Sequence, residues 1–127
     1  MMLMPLVLLA AAPTNCAAPQ TQSEMTECAD REYRTADLVM NQQWCVTLKV
    51  VQEQDRELDR TYDKRPGYAA QLLASQRAWL QFRDSHCAIE GYAMRGGSAE
   101  PMLVSSCLAE LTRMRTRQLR SVAELSR

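Results

Sequence analysis

Between Thr21 and Arg65 the chain contains neither glycine nor proline. Over that stretch apolar or small residues recur at helical spacing: Met25, Ala29, Tyr33, Ala36, Met40, Trp44, Leu48, Val51, Leu58 and Tyr62. Thr21 and Glu24 form a capping-box pattern, in which a hydroxyl and a carboxylate three residues apart satisfy the free amides of a helix start. The expectation is helix over roughly 21–64, closed by the turn pair Pro66-Gly67. At about 1.5 Å per residue a single straight rod would be long for so small a domain, so a break between Asp30 and Arg34 is expected.

A second helix is expected from about Tyr68 to Met94, with the stripe Leu72, Leu73, Gln76, Trp79, Leu80, Arg83 and Cys87. Arg95 to Glu100 reads as a loop, and Pro101 suits the start of a third helix, where a missing amide costs nothing. That helix runs to about Leu125 with the stripe Leu103, Cys107, Leu108, Leu111, Met114, Arg115, Leu119 and Val122. No strand pattern or repeat is visible. The fold class is therefore all-α, a small antiparallel bundle of three to four helices.

The uncharged apolar run Met1 to Ala12 is shorter than the roughly 20 residues that cross a bilayer. It reads as a secretory leader ending in small residues, with 1–15 as leader and 16–127 as one helical domain. Pro13 hinders cleavage after Ala12, which leaves the cut open between Ala12 and Cys16. No Lys or Arg precedes the run, which also leaves open a start further upstream. Lipid attachment at Cys16 is disfavoured, because Pro13-Thr14-Asn15 lacks the small residues such a site uses; a buried N-terminal helix is the other alternative. Export implies a periplasmic or secreted protein.

In an exported chain the five cysteines, Cys16, Cys28, Cys45, Cys87 and Cys107, read as a disulfide framework. Cys87 and Cys107 are equidistant from Gly97, so a helical hairpin turning at Gly96-Gly97 sets them face to face, within the reach of a disulfide. Cys16 then pairs with Cys28. Cys45 remains as a free, half-buried thiol acting as a small apolar side chain; a Cys45-linked dimer or another pairing are the alternatives. With no CxxC spacing and one histidine, His86, no metal site is expected, and no cofactor.

The whole chain has zero net charge. Locally, Thr21 to Arg65 carries ten acids and seven bases, net −3, and Pro66 to Arg127 five acids and eight bases, net +3. Neither half carries the basic excess that phosphate neutralisation needs, so nucleic acid is not an expected partner. Asp55 and Asp59, interleaved with Arg56 and Arg60, read as solvated ion pairs, and Arg113, Arg117, Arg120 and Arg127 as a solvated face. A nucleophile–base pair of Cys45 and His86 lacks a third orienting group, so no catalytic residues are assigned.

Five polar residues fall inside apolar stripes: Asp37, Asn41, Gln76, Arg83 and Arg115. Buried charges need partners, so Arg83 or Arg115 is expected to meet Asp37 across the bundle. The alternative is a binding site built from the same groups.

The ordered set now in view is Cys16, Thr21 to Ala29 with Cys28, Ala36-Asp37 with Asn41, Gln76-Arg77-Ala78-Trp79-Leu80-Gln81-Phe82-Arg83-Asp84 leading to Cys87, Gly97-Ser98, Cys107, Leu111-Thr112 and Arg115-Thr116. It resembles the lysozyme inhibitor LprI-like family of bacterial envelope proteins, over about Cys16 to Leu119. Cys45 departs from that pattern, as does Trp44, where Tyr is more usual. The resemblance implies an exported, non-catalytic helical domain with cysteines at 16, 28, 87 and 107, and lysozyme as its protein partner. Lysozyme works with two carboxyl groups in a cleft. An inhibitor of it needs a projecting element, and the 95–100 loop is the candidate. Arg95 would pair with a carboxylate, Ser98 would hydrogen-bond one, and Gly96-Gly97 would allow close backbone approach, or would only turn the hairpin. The competing expectation is a non-catalytic envelope interaction module that binds another protein through the charged face from Glu53 to Lys64.

Overall fold

The computed structural model describes residues 12–126, so the proposed leader lies, through residue 11, outside the described residues. Three helices follow in order: α1 Gln22–Glu57, α2 Tyr68–Gly91 and α3 Glu100–Leu125, with a short 3-10 turn at Tyr92–Met94 between the last two. Consecutive helices are antiparallel, so α1 and α3 run in the same direction. Their pairing is the most extensive in the molecule. No described helix is long and apolar enough to cross a membrane.

α1 starts as its capping box requires. The Thr21 hydroxyl accepts from the Glu24 amide at 3.1 Å, and the Glu24 carboxylate accepts from the Thr21 amide at 3.3 Å. The expected break at Asp30 to Arg34 is absent, and α1 is one helix of 36 residues. The residues thought to interrupt it instead reinforce it, because Glu27–Arg31 and Asp30–Arg34 are i,i+4 ion pairs at 3.0 and 2.7 Å. The helix ends at Glu57, well before 64. Past that point side chains compete with the helix for backbone amides: Asp59 accepts from the Thr61 amide at 2.8 Å and Asp63 from the Arg65 amide at 3.1 Å. Tyr62, placed in the α1 stripe by its spacing, is therefore off the helix and 95% exposed.

Asp55 departs from its expected role as a solvated ion pair. From the end of α1 its carboxylate accepts the Tyr68 amide at 2.6 Å and the Ala69 amide at 2.9 Å, the first free donors of α2. α2 has no side-chain cap of its own, since its N-cap is Gly67. A Cβ at that glycine would stand 2.7 Å from the Asp55 Oδ1 and would push the capping carboxylate aside.

The two ends of the bundle are packed differently. At one end Met40, Val51, Leu72 and Leu119 form an apolar cluster, with Trp44, Leu48, Trp79 and Val122 packed against it. At the other end the buried residues are small: Cys28, Ala29, Ala36, Cys87, Gly91, Cys107 and Ala109. Both disulfides lie there. Cys87–Cys107 joins the end of α2 to the start of α3 with Cα atoms 5.4 Å apart, and Cys16–Cys28 ties the preceding coil to α1 at 5.5 Å. Closing each loop is worth about 3 kcal/mol, which compensates for the thin apolar core at this end. Cys45 is free, but exposed rather than half-buried. Leu73 and Met114, both expected in apolar stripes, are likewise exposed.

Removing the cap that α1 supplies to α2 tests this reading. Asp55→Ala is expected to lower stability by about 1–2 kcal/mol, the cost of losing an N-cap carboxylate, measured by thermal or urea unfolding.

Candidate functional site

Two places collect the residues singled out in the sequence: a groove between α1 and α2, and the tip where α2 turns into α3.

The groove has a volume of about 510 Å³, and its lining includes Tyr33, Asp37, Asn41, Trp44, Gln76 and Arg83. Its floor is the Arg83 guanidinium, with only 7% of the side chain exposed. Arg83 Nη1 donates to Asp37 Oδ1 on α1 at 3.4 Å and to the Thr112 hydroxyl on α3 at 3.3 Å, while Nε donates to Asp84 at 2.9 Å. The Tyr33 and Trp79 rings lie 5.4 and 5.2 Å from the guanidinium carbon, at cation–π distance. Burial raises the pKa of the Tyr33 phenol above its ordinary value, with the nearby Arg83 charge opposing it. Asn41 donates to the other Asp37 oxygen at 3.3 Å.

Arg115 does not reach Asp37. It donates to Gln76 and Ser75, each at 2.9 Å, and to Gln118 at 3.2 Å. Burial pulls its pKa below the ordinary arginine value. The five polar residues thus form two linked clusters. Asp37, Asn41 and Arg83 make one, Gln76 and Arg115 the other, and Trp79 lies against both guanidinium groups.

At the tip, the left-handed turn is made by Gly96, φ 78°, and the Gly97 amide donates to the Met94 carbonyl at 2.8 Å. The Gly96 amide donates to the Glu100 carboxylate at 2.7 Å, which ties the loop to the first turn of α3. Arg95 lies over the Tyr92 ring at 4.3 Å and makes no salt bridge among the described residues. Ser98 points elsewhere, bordering a shallow hollow against the first turns of α1. Three apolar side chains that sequence reasoning missed are exposed near this turn: Ile89, 59%, Tyr92, 45%, and Met94, 49%, of which Tyr92 lies against Arg95. The signal was present, because Ile89 follows Cys87 by two residues and so falls off the buried stripe of α2. The tip also rests on a close approach, since a Cβ on buried Gly91 would meet the Val104 side chain at 2.5 Å.

Cys45 and His86, weighed as a pair in the sequence, are not brought together. His86 Nε2 pairs with Glu90 at 2.9 Å and stacks on Phe82. Met40 faces Gln76, which sets Cys45 level with the early part of α2, far along the bundle from His86. His86, Glu90 and Cys107 place potential ligand atoms within 4.8 Å of one another, but the Cys107 sulfur is bonded to Cys87 and offers no thiolate.

The buried network is expected to respond unequally to its two charges. Arg83→Met should cost about 2–3 kcal/mol, because it strips partners from all three helices, whereas Asp37→Asn should cost about 1 kcal/mol, since Asp37 is part-exposed and Asp84 remains. Urea unfolding of both variants measures the difference.

The family model described as "Lysozyme inhibitor LprI" matches residues 14–119. The protein of Rhizobium meliloti (strain 1021) named "Uncharacterized protein R02472" is 40% identical over 126 residues, covering 94% of this chain and 91% of its own. No solved structure matches. The chain belongs to the LprI lysozyme inhibitor family.

Proposed function

We propose that this protein is exported to the periplasm or the cell exterior and blocks lysozyme there, docking the tip of the α2–α3 hairpin into the enzyme's cleft. Membership of a family described as a lysozyme inhibitor supports lysozyme as the target class. The observation that carries the contact is Arg95 stacked on the exposed Tyr92 ring at the tip, with exposed Ile89 and Met94 in the same segment of chain. Aromatic, methionine and arginine side chains are the types enriched at interface centres. The Arg95 guanidinium, with no carboxylate partner among the described residues, can donate two parallel hydrogen bonds to one of the two carboxyl groups in a lysozyme cleft. Its stacking on Tyr92 fixes the guanidinium before binding, which reduces the ordering cost. Gly96 and Gly97 keep the tip narrow enough for backbone to enter a cleft.

The competing reading, docking of another envelope protein through Glu53 to Lys64, is less well supported. Much of that face is committed internally: Asp55 caps α2, Arg56 pairs with Glu53 at 2.6 Å, and Lys64 donates to the Arg60 carbonyl at 2.8 Å.

Lysis of a cell-wall suspension by lysozyme, with the oxidised protein titrated in, tests the proposal. Tyr92→Ala and Arg95→Ala are each expected to raise the half-inhibitory concentration by about ten-fold or more, the effect of losing a central contact residue, with thermal unfolding unchanged. Full inhibition by a protein carrying both Arg95→Ala and Ser98→Ala would rule out the tip as the contact. Charge reversal at Glu53 and Arg56 should leave inhibition intact.

A further inference from the structure

On the face away from the polar groove, α1 and α3 leave a second opening of about 370 Å³ between them. It exists because the facing residues are small: Ala36 and Thr116, each 6% exposed, form its floor. Val39, 44% exposed, forms an apolar wall, and the Cys16–Cys28 bridge lines the end nearer the start of α1. The rim is basic. Of its arginines, Arg31 is held by Glu27 at 3.0 Å and the Thr14 carbonyl at 3.3 Å, and Arg113 by Glu32 at 3.1 Å. Arg117 and Arg120 have no hydrogen-bond or salt-bridge partner among the described residues, and both are exposed at the Val39 end.

Two like charges one turn apart on a helix repel, and compensation of the helix dipole does not account for them, because the last turn of α3 contains no base. From this arrangement we infer a binding site for a small amphipathic anion, a single aliphatic chain ending in a carboxylate. The head group sits between Arg117 and Arg120, whose guanidinium forks match planar oxyanions. The chain lies over Ala36, Thr116 and Val39 and ends against the disulfide. An opening of about 370 Å³ over small side chains has room for one short aliphatic chain. Its size falls at the lower edge of small-ligand pockets, which span about 300–1,000 Å³ and are mostly apolar with a few placed polar groups. The site is separate from the hairpin tip, so lysozyme inhibition can fail without affecting it, and the reverse also holds.

Calorimetric titration of the oxidised full chain with decanoate, below its micelle concentration, tests the inference, with decyl phosphate, decanol and inorganic phosphate in parallel. Decanoate is expected to bind and to perturb backbone amide resonances in 28–39 and 113–120. Decanol should bind at least about ten-fold more weakly, because it lacks the charge that the two guanidinium groups recognise. Inorganic phosphate alone should not bind measurably. Decyl phosphate binding more tightly than decanoate would assign the head group to a phosphate source and overturn the carboxylate assignment. Arg117→Gln with Arg120→Gln should weaken decanoate by ten-fold or more, and Val39→Asp, a change on an exposed wall, should do the same, with thermal unfolding unaltered in both. No decanoate binding, or equal binding by these variants, would overturn the site.

Discussion

A guanidinium buried inside a small helical bundle cannot stand without partners, and Arg83 has them on all three helices: Asp37 on α1, Asp84 on α2 and Thr112 on α3. The arrangement specifies how the helices are rotated about their axes. A guanidinium is planar and directional, so turning any one helix by a residue would remove a partner. Apolar contacts alone would tolerate such slippage far better. Arg83 also sits where the packing changes character, between the apolar cluster around Met40 and Leu119 and the small-residue end closed by two disulfides.

This division has a consequence for function. The end with the disulfides is the end that carries the exposed tip. Cys87–Cys107 clamps the two helices of the hairpin near their junction, and α2 and α3 pack closely where Gly91 meets Val104. Glu100 holds the Gly96 amide, and Tyr92 supports Arg95. A contact surface built on such a base loses little conformational freedom on binding, which is how a small inhibitor gains affinity without a large interface.

Much of the fold was legible because its determinants are local or symmetric. The capping box marks the start of α1, and the equal spacing of Cys87 and Cys107 about Gly97 marks the hairpin. Features that depend on tertiary placement were not. Asp55 looked like a solvated charge because the amides it caps belong to another helix. The continuity of α1 was hidden by an argument from length, although the pairs Glu27–Arg31 and Asp30–Arg34 span the supposed break. Of the two arginines expected to compete for Asp37, Arg115 instead meets Gln76 and Ser75, a choice set by helix rotation that no spacing rule supplies. At the tip, Arg95 was visible as a projecting charge. Tyr92, Met94 and Ile89 were not singled out, although they lie outside the buried stripe of α2. Arg117 and Arg120 read as an ordinary solvated face, and only the small residues opposite them reveal the opening they border.

The proposed contact with lysozyme is the hairpin tip. Backbone hydrogen exchange of the oxidised protein, with and without saturating lysozyme, tests it most directly. Exchange is expected to slow in 89–98 on complex formation, with 53–64 unchanged. Protection confined to 53–64, or no protection anywhere in a mixture that inhibits lysis, would contradict it.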